Sequence, residues 1–236
     1  MFTLFKSLYF VGFLVLFSLI AGLISVAAYP AYMLITTFWQ ANSPFTSLFV
    51  MALGFVLTLT LLMFVNVVFI RLLGIIFPIK TGKYSVYGMT MAVWSIQYLL
   101  MNFMNTVFLP VFRTTPLMNV FYRAMGAKIG DNVFFNTSYI YEPHLIEIGD
   151  NTRVGENAMI FPHTSEGKSF VCEKIIIGKN VTVGQYAQIL PGAIIGDNVI
   201  IGAGSIVPKG KVIESNSIYG GNPISFIKPL NTAAKA

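Results

Sequence analysis

The chain changes rhythm twice. Residues 9–29, YFVGFLVLFSLIAGLISVAAY, carry no charge, and neither do residues 46–70, TSLFVMALGFVLTLTLLMFVNVVFI. As a helix rising 1.5 Å per residue, each run can cross roughly 30 Å of hydrocarbon. The first run is longer than the apolar core of a cleaved signal peptide, so it is expected to remain as a signal-anchor. A charge at a helix centre would cost roughly 2.5–3.5 kcal/mol on insertion scales. Lys6, Arg71, Lys80 and Lys83 all stand outside the two runs. Residues 1–83 thus predict a transmembrane domain with spans at about 9–29 and 46–70.

The middle segment, 84–128, is mixed. Residues 91–111, MAVWSIQYLLMNFMNTVFLPV, are long enough to cross but include Ser95, Gln97, Asn102, Asn105, Thr106 and Pro110. A third crossing would also move Arg113 and Arg123 away from the other cations. The expectation is an interfacial or re-entrant helical linker lying on the membrane surface.

From residue 129 an aliphatic residue returns every six positions. Ile177, Val183, Ile189, Ile195, Ile201, Val207 and Ile213 keep strict register, and Gly178, Gly184, Gly196 and Gly202 follow four of them. Ile148, Val154 and Ile160 form an earlier stretch of the same kind, led by Ile129 and Phe135. Six residues per repeat is the period of a parallel β-helix. Each short strand forms one side of a triangular coil, the aliphatic residue points to the axis, and Gly or Asn at the corners accepts φ > 0. Three repeats close one turn. Ile177, Ile195 and Ile213 should therefore stack on one side, Val183 and Ile201 on the second, Ile189 and Val207 on the third. The register breaks between Ile160 and Ile177, where Glu166 and Cys172 fall on the aliphatic positions. A loop of about eleven residues, Thr164 to Lys174, is expected to leave the prism directly after His163.

Composition agrees with a membrane half. Of 236 residues, 56% are hydrophobic and 10% charged, against about a quarter charged in soluble domains. The first acidic residue is Asp131. Seven basic residues precede it, so the net charge of +6 belongs to the first half. Those cations flank apolar runs, which points to anionic lipid and topology control rather than nucleic acid. The positive-inside rule places both ends in the cytoplasm and the uncharged connection 40–44 outside. Cys172 is the only cysteine, which excludes an internal disulfide, and it is expected to be a small core or loop residue.

IGKNVTVGQYAQILPGAIIGDNVIIGAGSIVPKG, followed by GGNP at 220–223, resembles the end of galactoside and maltose O-acetyltransferases, members of the hexapeptide-repeat acyltransferases. TTPLMNVFYRAMGAKIG (114–130), YEPHLIEIGDNTRVG (141–155), FPHTSEG (161–167) and SIVPKGKV (205–212) resemble the membrane-bound C-terminal region of ε-poly-lysine-synthetase-like peptide synthetases. That region pairs transmembrane helices with β-helix domains. It often has Asp after Glu-Pro, where this chain has His144. The resemblance implies a left-handed β-helix over 129–236, a homotrimer with sites between neighbours, and acyl transfer.

Acyl transfer from a thioester needs a base to take the acceptor's proton, and histidine is suited because its ordinary pKa is near neutral. The chain has two, His144 and His163. The resemblance puts the catalytic histidine at His163. Glu166, three residues on, is the nearest acid and either orients that base or is a solvated charge. The Gly184–Gln185 corner is a candidate for backbone N–H donors. Lys209, Lys211 and the Asn222-Pro223 turn are candidates for holding the donor, with the lysines meeting its phosphates. Two histidines without a third give no metal site.

The expectation is therefore a membrane α plus all-β protein of the bacterial cytoplasmic membrane, with its β-helix on the cytoplasmic side. It would be an acyltransferase with no permanently bound cofactor, using acyl-CoA or an acyl-phosphopantetheine on a carrier protein as co-substrate. Its acceptor would be a hydroxyl or amine of a small-molecule, lipid or lipid-linked compound. The alternative is a non-catalytic trimeric membrane scaffold, or an accessory subunit of a peptide-synthetase-like system.

Overall fold

The computed structural model describes residues 2–38 and 43–230. They fall into two compact units, 1–70 and 71–236.

The first unit is helical. Helix α1 covers Phe2–Phe38 with Pro30 inside it, and helix α2 covers Pro44–Ile76. Both predicted spans lie within these longer helices. Two stretches, Ile20–Phe38 and Pro44–Ile76, are long and apolar enough to cross a membrane. Residues 40–42 of the expected outer connection lie outside the described residues. A small residue brings the helices together: Gly54 of α2 faces Ala31 and Ile35 of α1. Phe49, Phe55 and Val56 of α2 stand exposed.

The second unit is a β-helix with helices packed on it. Three parallel sheets form its sides. The first stacks Lys128–Ile129, Ile146–Ile148, Ile175–Ile177, Ile194–Ile195 and Val212–Ile213. The second stacks Phe134–Phe135, Arg153–Val154, Thr182–Val183, Val199–Ile201 and Ser217–Gly220, and Ser225–Pro229 closes it antiparallel. The third stacks Met159–Ile160, Gln188–Ile189 and Ile206–Val207. The three predicted columns of aliphatic residues are all present, and their side chains are buried.

Corners explain the polar half of the repeat. Asn132, Asn151, Asn180, Asn198 and Asn216 all adopt left-handed backbone with φ of 54–56°. Their side-chain amides bond from coil to coil, Asn180 to Asn198 at 3.1 Å and Asn198 to Asn216 at 2.9 Å. Gly149 is required for a different reason. A Cβ there would lie 2.7 Å from the backbone of Gly178 in the next coil.

The break in register is ordered. The expected loop after His163 is instead a β-hairpin, His163–Glu166 with Ser169–Cys172, and His163 is already its first paired residue. Gly167, at φ 60°, makes the turn. The reason is backbone pairing from elsewhere in the chain: Gly82–Ser85 adds a third antiparallel strand, with Gly82 opposite Cys172. That strand crosses the expected boundary at residue 83. Helix α3, Met89–Val107, follows and buries Val93, Gln97, Leu100, Met101, Met104 and Asn105, one continuous stripe at helical spacing. The short helices α4, Leu109–Phe112, and α5, Leu117–Ala124, lead into the first coil.

Candidate active site

His163 is positioned from three directions. Its strand leaves the third side of the prism immediately after Met159–Ile160. The preceding coil supplies Tyr141 and Glu142. Helix α3 supplies Trp94 and Tyr98.

The Nδ1–H of His163 donates to Glu142 Oε2 at 2.7 Å. Trp94 Nε1–H donates to the other carboxylate oxygen, Glu142 Oε1, also at 2.7 Å. The Glu142 side chain is 5% exposed and that of His163 16%. Both oxygens of a buried carboxylate are thus engaged, and a buried charge needs such partners. With Nδ1 committed, Nε2 is the nitrogen left to exchange a proton with a ligand. Glu142 adopts φ 41°, ψ 61° ahead of Pro143. This is a left-handed backbone in a residue other than glycine, a kind of strain that gathers at functional sites.

Aromatic rings enclose the imidazole. Trp94 lies edge-on at 4.8 Å between centroids, Phe170 at 5.8 Å and Phe161 at 5.9 Å. Tyr98 and Tyr141 stand at 6.0 and 6.1 Å. Such a wall keeps water from the hydrogen bond between His163 and Glu142, which strengthens it. Cys172, opposite His163 in the hairpin, is fully buried. Burial, reinforced by Glu142, pushes its thiol up to about 12, so it stays a neutral packing residue as expected.

The expected orienting acid, Glu166, is elsewhere. It is exposed and bonded to Lys209 Nζ at 2.8 Å. That pairing holds its carboxyl below the usual range and raises the Lys209 ammonium. The antiparallel strand carries Glu166 outward to the tip of the hairpin. The carboxylate bonded to His163 is that of Glu142. Its signal was an acid set between Tyr141 and Pro143 in an otherwise apolar stretch.

His144 is apart from His163. Its Nε2 lies 2.9 Å from the Ile79 carbonyl, and burial lowers its pKa. Among the described residues, no group of three or more His, Cys, Asp or Glu side chains could hold a metal.

The donor candidates divide. Lys209 also reaches Glu173, at 3.6 Å, and so is held against the hairpin by two acids. Lys211 is exposed on the next turn, and Asn222-Pro223 lies exposed between the last two strands. Gly184–Gln185 forms the corner before Gln188–Ile189, whereas the hairpin leaves at the corner after Met159–Ile160. Those two strands are parallel neighbours in register, so within one chain the corners stand at opposite ends of a prism side.

Residues 174–209 match the family described as bacterial transferase hexapeptide (six repeats). The chain is 26% identical over 117 residues to a delta-poly-L-ornithine synthetase of Acinetobacter baumannii (strain AB307-0294), which covers 50% of this chain and 9% of that protein. Among solved structures it is similar to a maltose O-acetyltransferase from Clostridium difficile 630, at 21% identity, covering 64% of this chain and 94% of that one, with a TM-score of 0.47. It is also similar to a hexapeptide-repeat acetyltransferase of Vibrio cholerae O1 biovar eltor, complexed with acetyl coenzyme A, at 16% identity, covering 63% and 93%, with a TM-score of 0.48.

Proposed function

We propose that this chain is a membrane-bound acyltransferase in which His163 is the general base and Glu142 its orienting acid. The observation that carries the reading is the 2.7 Å bond between His163 Nδ1 and the buried Glu142 carboxylate. A buried acid fixing one imidazole nitrogen while the other faces a ligand is the arrangement that base catalysis needs.

The chemistry runs as acyl transfer. The acceptor's hydroxyl or amine attacks the thioester carbonyl carbon while Nε2 of His163 takes its proton. Glu142 stabilises the imidazolium that results. The tetrahedral intermediate collapses, the carbon–sulfur bond breaks, and the imidazolium returns the proton to the departing thiolate. The donor is acyl-CoA or an acyl group on a carrier protein's phosphopantetheine arm. Lys209, Lys211, Asn222 and Pro223 are its contacts, and the Gly184–Gln185 corner offers N–H groups to the oxyanion. Because that corner and His163 stand at opposite ends of a prism side, the reading places the complete site between subunits of a homotrimer with left-handed coils.

The membrane assignment rests on two helices long and apolar enough to cross. With cations outside both apolar runs, the β-helix faces the cytoplasm of a bacterial inner membrane. The acceptor is then membrane-associated, a lipid or a lipid-linked compound.

Thiol release from acetyl-CoA and longer acyl-CoAs by the detergent-purified protein, with a membrane-lipid extract as acceptor, tests the reading. Release that disappears in His163→Ala and Glu142→Gln supports it. Equal release by wild type and variants overturns it.

A further inference from the structure

Below α3, one helical stripe away from the histidine, lies a second polar cluster that the acyl-transfer chemistry does not use. Arg113 sits in the turn after α4, half-buried. Its Nη1 reaches Asn157 Oδ1 at 3.5 Å and its Nη2 reaches Ser138 Oγ at 3.4 Å, both at the outer limit of a hydrogen bond. Its Nε is buried with no partner. Among the described residues, no carboxylate pairs with it.

The neighbours of Arg113 are unsatisfied as well. Asn105 is 5% exposed, and neither its side-chain nitrogen nor its oxygen has a well-formed hydrogen bond. The amide does lie near enough to Tyr141 to ease the burial that raises that hydroxyl. The hydroxyl of Tyr122, on a fully buried side chain, also has no partner. Burial raises its pKa, and the nearby guanidinium opposes the rise. Thr114, next to Arg113, holds φ 66° and is tied by its N–H to the Phe135 carbonyl at 2.8 Å. Buried polar groups in native proteins are nearly always paired. Three such side chains in one region, one of them a cation, call for an anion.

We propose that Arg113, Asn105, Tyr122 and Ser138 form a receptor for a phosphodiester, the anionic group of one of the two substrates. One cation and three neutral donors match a group that carries one charge and offers oxygens in several directions. Arginine suits it because its planar fork meets two phosphate oxygens together.

The placement fits a substrate that reaches His163. Trp94, Tyr98, Asn102 and Asn105 follow one another at helical spacing along α3. Trp94 touches the His163–Glu142 pair, and Tyr141 Oη donates to Asn102 Oδ1 at 3.0 Å. The eleven residues from Trp94 to Asn105 span roughly 16 Å at 1.5 Å per residue. A phosphopantetheine arm has about 13 bonds from phosphorus to sulfur and extends to roughly 15 Å at the advance per bond of an extended chain. A phospholipid headgroup carries the same phosphodiester. The inference rests on the acyl-transfer reading only for its claim that the ligand is a substrate.

The test is calorimetric titration of the full chain in neutral detergent with two probes, soluble dihexanoylphosphatidylglycerol and a holo carrier protein with its apo form as control. Wild type is expected to bind one probe, and Arg113→Gln and Asn105→Asp to bind it at least tenfold more weakly. Which probe responds identifies the source of the phosphodiester. Asn105→Asp keeps the side chain's size and adds a negative charge among the buried groups, so it should repel the phosphodiester. Unchanged binding in both variants, or no millimolar binding of either probe to wild type, overturns the inference. Absent thiol release would sink acyl transfer without altering this result.

Discussion

His163 and Glu142, 21 residues apart in sequence, share one 2.7 Å hydrogen bond between adjacent coils. Glu142→Gln keeps the shape and removes the charge that would stabilise the imidazolium. The expected loss in kcat is about 10²–10⁴-fold, the usual contribution of a positioned base. His163→Ala with Glu142→Gln should be little worse than either alone, because residues acting as a unit do not add. Thiol-release kinetics on the four proteins check both points.

Trp94→Phe removes the indole N–H that donates to Glu142 Oε1. A buried carboxylate oxygen left unpaired costs about 1–3 kcal/mol. Chemical denaturation should read that loss. The variant's pH–rate profile should also shift, an effect that a purely structural role would not produce.

Glu166→Gln should leave kcat within about twofold, since exposed ion pairs contribute little. Any effect should appear in the donor KM, because the substitution frees Lys209. A large fall in kcat would return Glu166 to the site.

His144 gives the fold a pH dependence of definite sign. Its folded pKa lies below the ordinary 6.5, chiefly through burial, with Arg71 adding to the effect and the Ile79 carbonyl and Glu142 opposing it. The unfolded chain therefore binds the proton more readily. Stability is held above about pH 6.5 and falls as pH drops below it. His144→Gln should flatten the thermal midpoint between pH 7.5 and 5.

Gly149→Ala would drive a methyl to within 2.7 Å of the next coil's backbone. Overpacking of that kind costs about 1–3 kcal/mol, and the midpoint in denaturant should fall accordingly. The same change at Gly167, which has open space around it, should show only the mild strain of its positive φ.

The prism was legible because its signal repeats: Ile177, Ile195 and Ile213 fall on one side by arithmetic alone. His163 was legible because the pattern breaks beside it. Glu142 was not, since its role depends on a left-handed turn before Pro143 and on a tryptophan from a different element. Sequence proximity favoured Glu166, but strand geometry turned that residue away. The hairpin was read as a loop because half of its support, Gly82–Ser85, lies some eighty residues earlier. Arg113 read as one more membrane-flanking cation, and only the unpaired Asn105 and Tyr122 around it set it apart.

The strand Gly82–Ser85 also bears on the order of assembly. Neighbouring coils are joined by bonds only 18 residues apart, as between Asn198 and Asn216, so the prism can zip from any point at low entropic cost. Register between Gly82 and Cys172 requires a far longer loop to close, and such closures come late. A nascent chain therefore completes its prism before Gly82–Ser85 docks on the hairpin that begins at His163, so the last strand to join is the one drawn from outside the repeats.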